Sequence, residues 1–219
     1  MSAKIDEAYR HCERLVRAHD KDRYLASLFA PADRRLYLFA LYAFALELAR
    51  VKMLVKEPMA GAIRLQWWHE AIEGLRAEEA AANPVMSALQ DAARQTNVSL
   101  APLTAAVEAR EAELYGTPPL AAAAAVFIMA ARLLGAEGEA IARAADHATH
   151  AVTLLETEPG KARDAYDAFR KMVAALPQAA VPAFLPVALV PLRLKRPDAP
   201  QRRRQLVLLR TAWFGFPKI

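Results

Sequence analysis

At 219 residues the chain is long enough for one sizeable hydrophobic core and short for two, so a single domain over residues 1–219 is expected. Apolar residues make up 55% of it and glycines number only 7, a balance that argues for helices and against a sandwich or barrel. The lone cysteine, Cys12, excludes an internal disulfide framework and a cysteine-based zinc site, and a formal net charge of +5 tilts the surface toward anionic partners.

The first ten residues carry Asp6 and Glu7 and no apolar stretch, so neither a secretory signal nor a transit peptide is expected. The expected location is the cytoplasm, with peripheral association to the inner face of a membrane as an option. Ile5, Ala8, Tyr9, Cys12, Leu15 and Val16 recur at helical spacing and open the chain with an amphipathic helix, in which Cys12 reads as core. A short helical segment from Arg23 to Ala30 ends at Pro31, and Asp33 begins a long helix to about Val55. This helix is apolar almost all round, hence central. Its unbroken apolar run, Leu36 to Leu46, falls well short of the roughly 20 residues of a membrane span.

Pro58 suits the first turn of the next helix, whose inward face carries Ile63, Trp67, Trp68, Ala71, Ile72 and Leu75. Asn83-Pro84 starts another, Ser99 and Pro102 a third that runs to Tyr115, and the alanine-rich stretch from Leu120 to Leu134 is closed by Gly135. Ile141 to Leu155 marks a further helix, expected to end at Pro159-Gly160, and Ala165 to Leu176 the next. The proline-punctuated Val181 to Leu194 and the basic Arg202 to Trp213 bring the total to about ten helices, with no competing period-two run.

Nucleotide-binding glycine loops are absent, and HExxH fails after His69-Glu70 because Glu73 stands where the second histidine would be. His147 and His150 share a helical face beside Asp146, but no third and fourth ligand is signalled, so a polar face is the reading and no metal site is assigned.

The informative stretch runs from Tyr9 to Leu75. Tyr9-x-x-Cys12, Arg23-Tyr24-Leu25-Ala26-Ser27-Leu28-Phe29-Ala30-Pro31, Arg34-Arg35, Phe39-Ala40-Leu41-Tyr42-Ala43-Phe44 and Ile63-Arg64-Leu65-Gln66-Trp67-Trp68 resemble the first part of the squalene/phytoene synthases. Pro182-Ala183-Phe184-Leu185-Pro186 with the basic tail is similar to one subgroup. The resemblance implies an all-α, single-domain helical bundle of the isoprenoid synthase type, shortened around 116–135 and after 155. It also implies head-to-head condensation of two prenyl diphosphates, with Mg²⁺ held by Asp-rich helix segments.

Those segments are where the chain departs from the family. The first motif's aspartates fall on Ala49, Arg50 and Met53, and near the second the chain offers only Glu156 and Glu158 before Pro159-Gly160. No catalytic residue is therefore assigned and no cofactor is expected. Arg50 and Lys52 would repel Mg²⁺ while still attracting phosphate. The pattern is closest to the degenerate branch of the family that includes phytoene-synthase-type complex I assembly factors. It implies a non-catalytic protein that binds a lipid or protein partner. The alternative is an active prenyl-diphosphate transferase with atypical metal ligands, which would need Mg²⁺. Nucleic acid is not expected as a partner, because Arg and Lys are spread over many helices.

Three sets of candidate residues follow. Arg23, Tyr24, Arg34, Arg50 and Lys52 are candidates for a phosphate or lipid headgroup. Phe39, Tyr42, Phe44, Met53 and Trp67 are expected to line a central cavity if packing has not closed it. Arg202, Arg203, Arg204 and Trp213 are candidates for an anionic membrane surface; the competing reading packs Leu206, Val207, Leu209 and Trp213 onto the bundle with the arginines reaching into water.

Overall fold

The computed structural model describes residues 2–217. The first helix, α1 (Ala3–His19), is capped by Ser2, whose hydroxyl accepts from the Ile5 amide, and it buries Ala8, Tyr9, Cys12 and Val16 along one stripe. Asp20 ends it and caps α2 (Lys21–Ser27), accepting from the Arg23 amide at 3.0 Å. After Pro31 the chain enters α3 (Ala32–Leu54), and every residue from Leu38 to Ala45 is buried. The remaining helices wrap this one.

Following α4 (Pro58–Glu73) and a short α5 (Ala77–Ala82) comes α6 (Pro84–Thr96), started by Asn83, whose side-chain oxygen accepts from the Met86 amide at 2.9 Å. A 3-10 turn leads into α7 (Thr104–Leu114), and α8 (Leu120–Leu133) and α9 (Glu139–Thr153) follow. Pro159-Gly160 does not end the helix begun at Ile141. That helix stops at Thr153, and Pro159 opens α10 (Pro159–Val173), a position where a missing N–H leaves no bond unmade.

The region from Val181 to Lys195 is a mosaic of α11 (Val181–Phe184), a 3-10 segment Leu185–Leu189 and α12 (Val190–Lys195), because its prolines prevent one continuous helix. The described chain closes with α13 (Gln201–Phe214). The long helices are those that the periodicity marks, and the additional ones, α5, α11 and α12, are too short to show a period. Among the described residues no helix is long and apolar enough to cross a membrane.

Against α3 pack α1, α6 and α8, with α4 and α7 toward its C-terminal half; α9 packs over α8, and α10 over α9 and α12. The α1–α6 contact carries a buried polar tie, in which the Tyr9 hydroxyl donates to Asp91 at 3.0 Å and Arg94 answers the other carboxylate oxygen at 3.4 Å. Burial, and then the Asp91 charge beside it, push the Tyr9 phenol well above its ordinary range. A smaller cluster of Ala26, Leu185, Leu189 and Leu208 holds α13 to α2.

Each large apolar side chain taken out of water here contributes about 1.5–3 kcal/mol. Leu41→Ala, at a fully buried position on α3, is expected to lower stability by about 2–5 kcal/mol. Leu206→Ala, exposed on α13, should stay within about 0.5 kcal/mol of the parent chain. Urea unfolding monitored by circular dichroism measures both.

Candidate functional site

The positions that matter for chemistry lie on α2, α3, α4 and the end of α9. On α3, Phe39, Tyr42 and Phe44 are at most 2% exposed and are held in contact rather than around a void. Phe39 stacks on Tyr24 with ring centroids 5.4 Å apart, the Arg23 guanidinium lies 5.3 Å from the Tyr42 ring centroid, and Phe44 meets Trp68 edge-on at 5.4 Å. Burial pushes the Tyr42 phenol up to about 12, with Arg23 pulling the other way. At these residues the interior is filled by the aromatic rings themselves.

The other two expected lining residues lie further out. Trp67 is half-buried, meets Trp68 edge-on at 4.9 Å and donates from Nε1 to Glu79 at 2.8 Å. Met53 lines nothing in the interior: it sits on the last turn of α3 and is 85% exposed, because the helix has by then passed beyond the helices that cover its middle.

The five candidate headgroup residues do not converge. Arg23 pairs with Asp20 at 3.4 Å, while Tyr24 donates weakly to Glu13 at 3.4 Å. Arg34 donates from Nη1 to the carbonyl of Leu133 at 3.2 Å, where a cation complements the C-terminal end of α8. Arg50 pairs with Glu47 at 3.4 Å and Lys52 with Glu113 at 3.7 Å, both at the far end of α3. Arg34 and Arg50 are separated by about 24 Å of helix at 1.5 Å per residue, too far to share a phosphate.

A cleft of about 270 Å³ does open beside α2. Phe127, Val152, Leu155, Leu189 and Val190 form its apolar walls, and Asp20, Asp22, Arg23 and Arg193 its charged rim. Asp22 is 6% exposed and joins three elements: Arg193 of α12 donates to it at 3.0 Å, Gln201 of α13 at 3.3 Å, and the Arg204 Nε lies 3.4 Å away. Arg204 also donates to Gln201, so it is turned inward and does not belong with the outward cations Arg202 and Arg203. Sequence reasoning missed Asp22, Arg193 and Gln201. Asp22 stands in a polar stop, and nothing local distinguishes it from the solvated residues around it.

Mg²⁺ needs several hard oxygen ligands free to converge. At the first motif's position the nearest carboxylate, Glu47, is engaged by Arg50; beyond α9, Glu156 and Glu158 are exposed and Glu158 pairs with Lys161. Asp20 and Asp22 are each matched by guanidinium groups. Among the described residues no three His, Cys, Asp or Glu side chains are arranged to hold a metal ion. The residues present do not fit a magnesium–diphosphate cluster. What the arrangement offers is recognition: matched charges over apolar walls, and exposed apolar and cationic faces elsewhere.

Comparison with known proteins gives matches of three kinds. A family profile described as squalene/phytoene synthase matches residues 16–155, more than half of the chain. Complex I assembly factor 6 from Bos taurus is 35% identical over 105 residues, 48% of this chain and 32% of that protein. The Homo sapiens protein of the same name is 36% identical over 104 residues, 48% of this chain and 31% of that one. The chain thus spans about a third of the length of these curated relatives. A dehydrosqualene synthase crystal structure superposes with a TM-score of 0.70 at 14% identity, covering 94% of this chain and 95% of that one, which establishes a shared fold.

Asp22→Ala is expected to cost about 1.5–3 kcal/mol, the range for hydrogen bonds to charged groups, since it strands Arg193 and Arg204. In a double-mutant cycle with Arg193→Leu the two losses should be less than additive. Thermal melts of the four proteins measure the coupling.

Proposed function

This chain belongs to the squalene/phytoene synthase family, and we propose that it uses the family fold to bind a protein partner during assembly of a respiratory NADH dehydrogenase rather than to condense prenyl diphosphates. The observation that carries this reading is the replacement of the metal-binding face. The side chains of Ala49, Arg50 and Met53 supply no oxygen ligand, and the nearby carboxylates Glu47 and Glu113 are engaged by Arg50 and Lys52. The likeness to assembly factors from cattle and human adds the biological direction.

The test has two arms. Deleting the gene from its host should deplete fully assembled NADH dehydrogenase on native gels, and supplying the intact chain should restore it. Purified protein with Mg²⁺ and farnesyl or geranylgeranyl diphosphate should yield no head-to-head product above a protein-free blank. Normal assembly in the deletion strain overturns the assembly reading, and product that disappears on chelation favours the prenyltransferase alternative.

A peripheral position at the inner face of a membrane is the second part of the proposal, and α13 supports it. Leu206, Leu209, Trp213 and Phe214 are 64%, 48%, 79% and 83% exposed, beside the outward Arg202, Arg203 and Arg210. Basic side chains near anionic headgroups contribute about 1 kcal/mol each, and aromatic rings settle at the interface. Flotation with anionic vesicles should show binding that weakens as salt rises and drops several-fold in a Trp213→Ala, Phe214→Ala variant. Failure to float with such vesicles at low salt removes the membrane from the proposal.

A further inference from the structure

Beyond α13 the chain turns back and builds a cleft against the helix it has just left. Gly215 makes the turn at a φ of 82°, a conformation open to it because it has no Cβ. Phe216 then meets Phe169 of α10 edge-on at 5.1 Å, and the Tyr166 hydroxyl donates to the Pro217 carbonyl at 2.7 Å. These two contacts hold residues 215–217 as a wall facing α13. Between wall and helix lies a cleft of about 420 Å³, lined by Val207, Thr211, Phe214, Phe216 and Pro217 with Arg210 beside them. Its size is that of a small-molecule pocket, and contacts of the fold itself keep it formed.

Helical spacing sets the cleft next to the exposed face of α13. Leu206 and Trp213, two turns apart, share the outward side; Val207 and Phe214, also two turns apart, share the flank that borders the cleft, and Arg210 stands between the two.

The charges around the cleft do not balance. α13 carries Arg202, Arg203, Arg204 and Arg210 and no Asp or Glu. Of the elements packed on it, the Leu185–Leu189 segment is uncharged, and Asp22 of α2 is already met by Arg193 and Arg204. On α10, Asp167 is engaged by Arg170, and Asp164 lies on the side of the helix away from Tyr166 and Phe169, while Arg163 and Lys171 add positive charge. Asp198 precedes the opposite end of α13. Arg210 is exposed, and among the described residues no carboxylate lies within ion-pair distance of it. Apolar walls beside an unanswered guanidinium fit a molecule that is apolar at one end and anionic at the other, whereas a small water-soluble anion would leave the walls unused. Anionic lipids are drawn to basic side chains, and Trp213 and Phe214 are residue types that settle at the bilayer interface.

We infer that the cleft between α13 and residues 215–217 takes a single anionic phospholipid, its acyl end among Val207, Phe214 and Phe216 and its phosphate on Arg210. The inference rests on the reading that α13 faces a membrane, and it adds to that surface a lipid site of defined chemistry.

The experiment photolabels the full chain on vesicles of phosphatidylcholine and phosphatidylglycerol that contain a phosphatidylglycerol probe with a diazirine near the end of one acyl chain. Mass spectrometry maps the labelled residues, and flotation of the same samples reports vesicle binding. Label should concentrate on Val207, Phe214, Phe216 or Pro217, and a probe with a choline headgroup in the same vesicles should label them several-fold less. Arg210→Glu should lower cleft labelling about tenfold relative to labelling of Trp213, the effect of some 1.4 kcal/mol. Val207→Trp, which fills the cleft from a half-buried position, should remove cleft labelling without lowering flotation. Arg210→Glu, at an exposed position, decides the matter if Val207→Trp lowers the melting temperature. Label confined to Trp213 and the outward side, equal labelling by the two headgroups, or labelling indifferent to Arg210→Glu overturns the inference, while flotation leaves the membrane reading standing. If the protein does not float at low salt, a short-chain, water-soluble form of the phosphatidylglycerol probe separates the two. Cleft labelling that depends on Arg210 then keeps the site and removes the membrane, and its absence removes both.

Discussion

The structure depends on a helix that has no solvent-facing side at its middle. From Leu38 to Ala45 every residue of α3 is buried, so neighbours must cover it in all directions, and α1, α6, α8, α7 and α4 around it are the solution that the chain finds. Polar groups cannot be spared for that interior. The two buried carboxylates, Asp91 and Asp22, sit instead at contacts between peripheral helices, where a phenol or guanidinium groups meet them.

Filling the centre changes what the fold can do. Interiors pack at the density of organic crystals, so aromatic rings in contact leave no space that a flexible chain could enter without displacing them. Tyr24 against Phe39, Arg23 over Tyr42 and Trp68 against Phe44 close the region along successive turns of α3. Recognition is then left to the cleft beside α2 and to the outer faces of the bundle. Most of the exposed large apolar side chains lie at two places, the α3–α4 corner and the outer side of α13, each with cations beside it, while Leu28, Phe29, Leu75 and Tyr115 stand apart from both. An apolar surface rimmed by charge is a common form of interaction site.

The two places differ in shape. α13 presents a convex helix whose outward arginines and aromatic rings suit a planar, anionic boundary. The α4 corner is indented on either side of Trp67, with Glu47, Glu70 and Glu111 among the residues that line the clefts.

Length, glycine scarcity and helical periodicity determined the fold class, and the Tyr9 to Leu75 residues its family, because a helix writes its buried face into the sequence every three or four residues. That no Asp-rich segment follows Tyr42-Ala43-Phe44 is equally legible, since an absent side-chain type needs no coordinates to be noticed. Tertiary structure alone decided the rest. Met53 and Phe39 are both large apolar residues of α3, yet one is exposed and the other buried, according to where the covering helices stop. Arg34 and Arg50 are both cations of α3, and only packing sends one to the end of α8 and leaves the other with Glu47. Asp22 meets Arg193 across 171 positions of sequence, a separation over which no local pattern carries information and which only the completed fold can close.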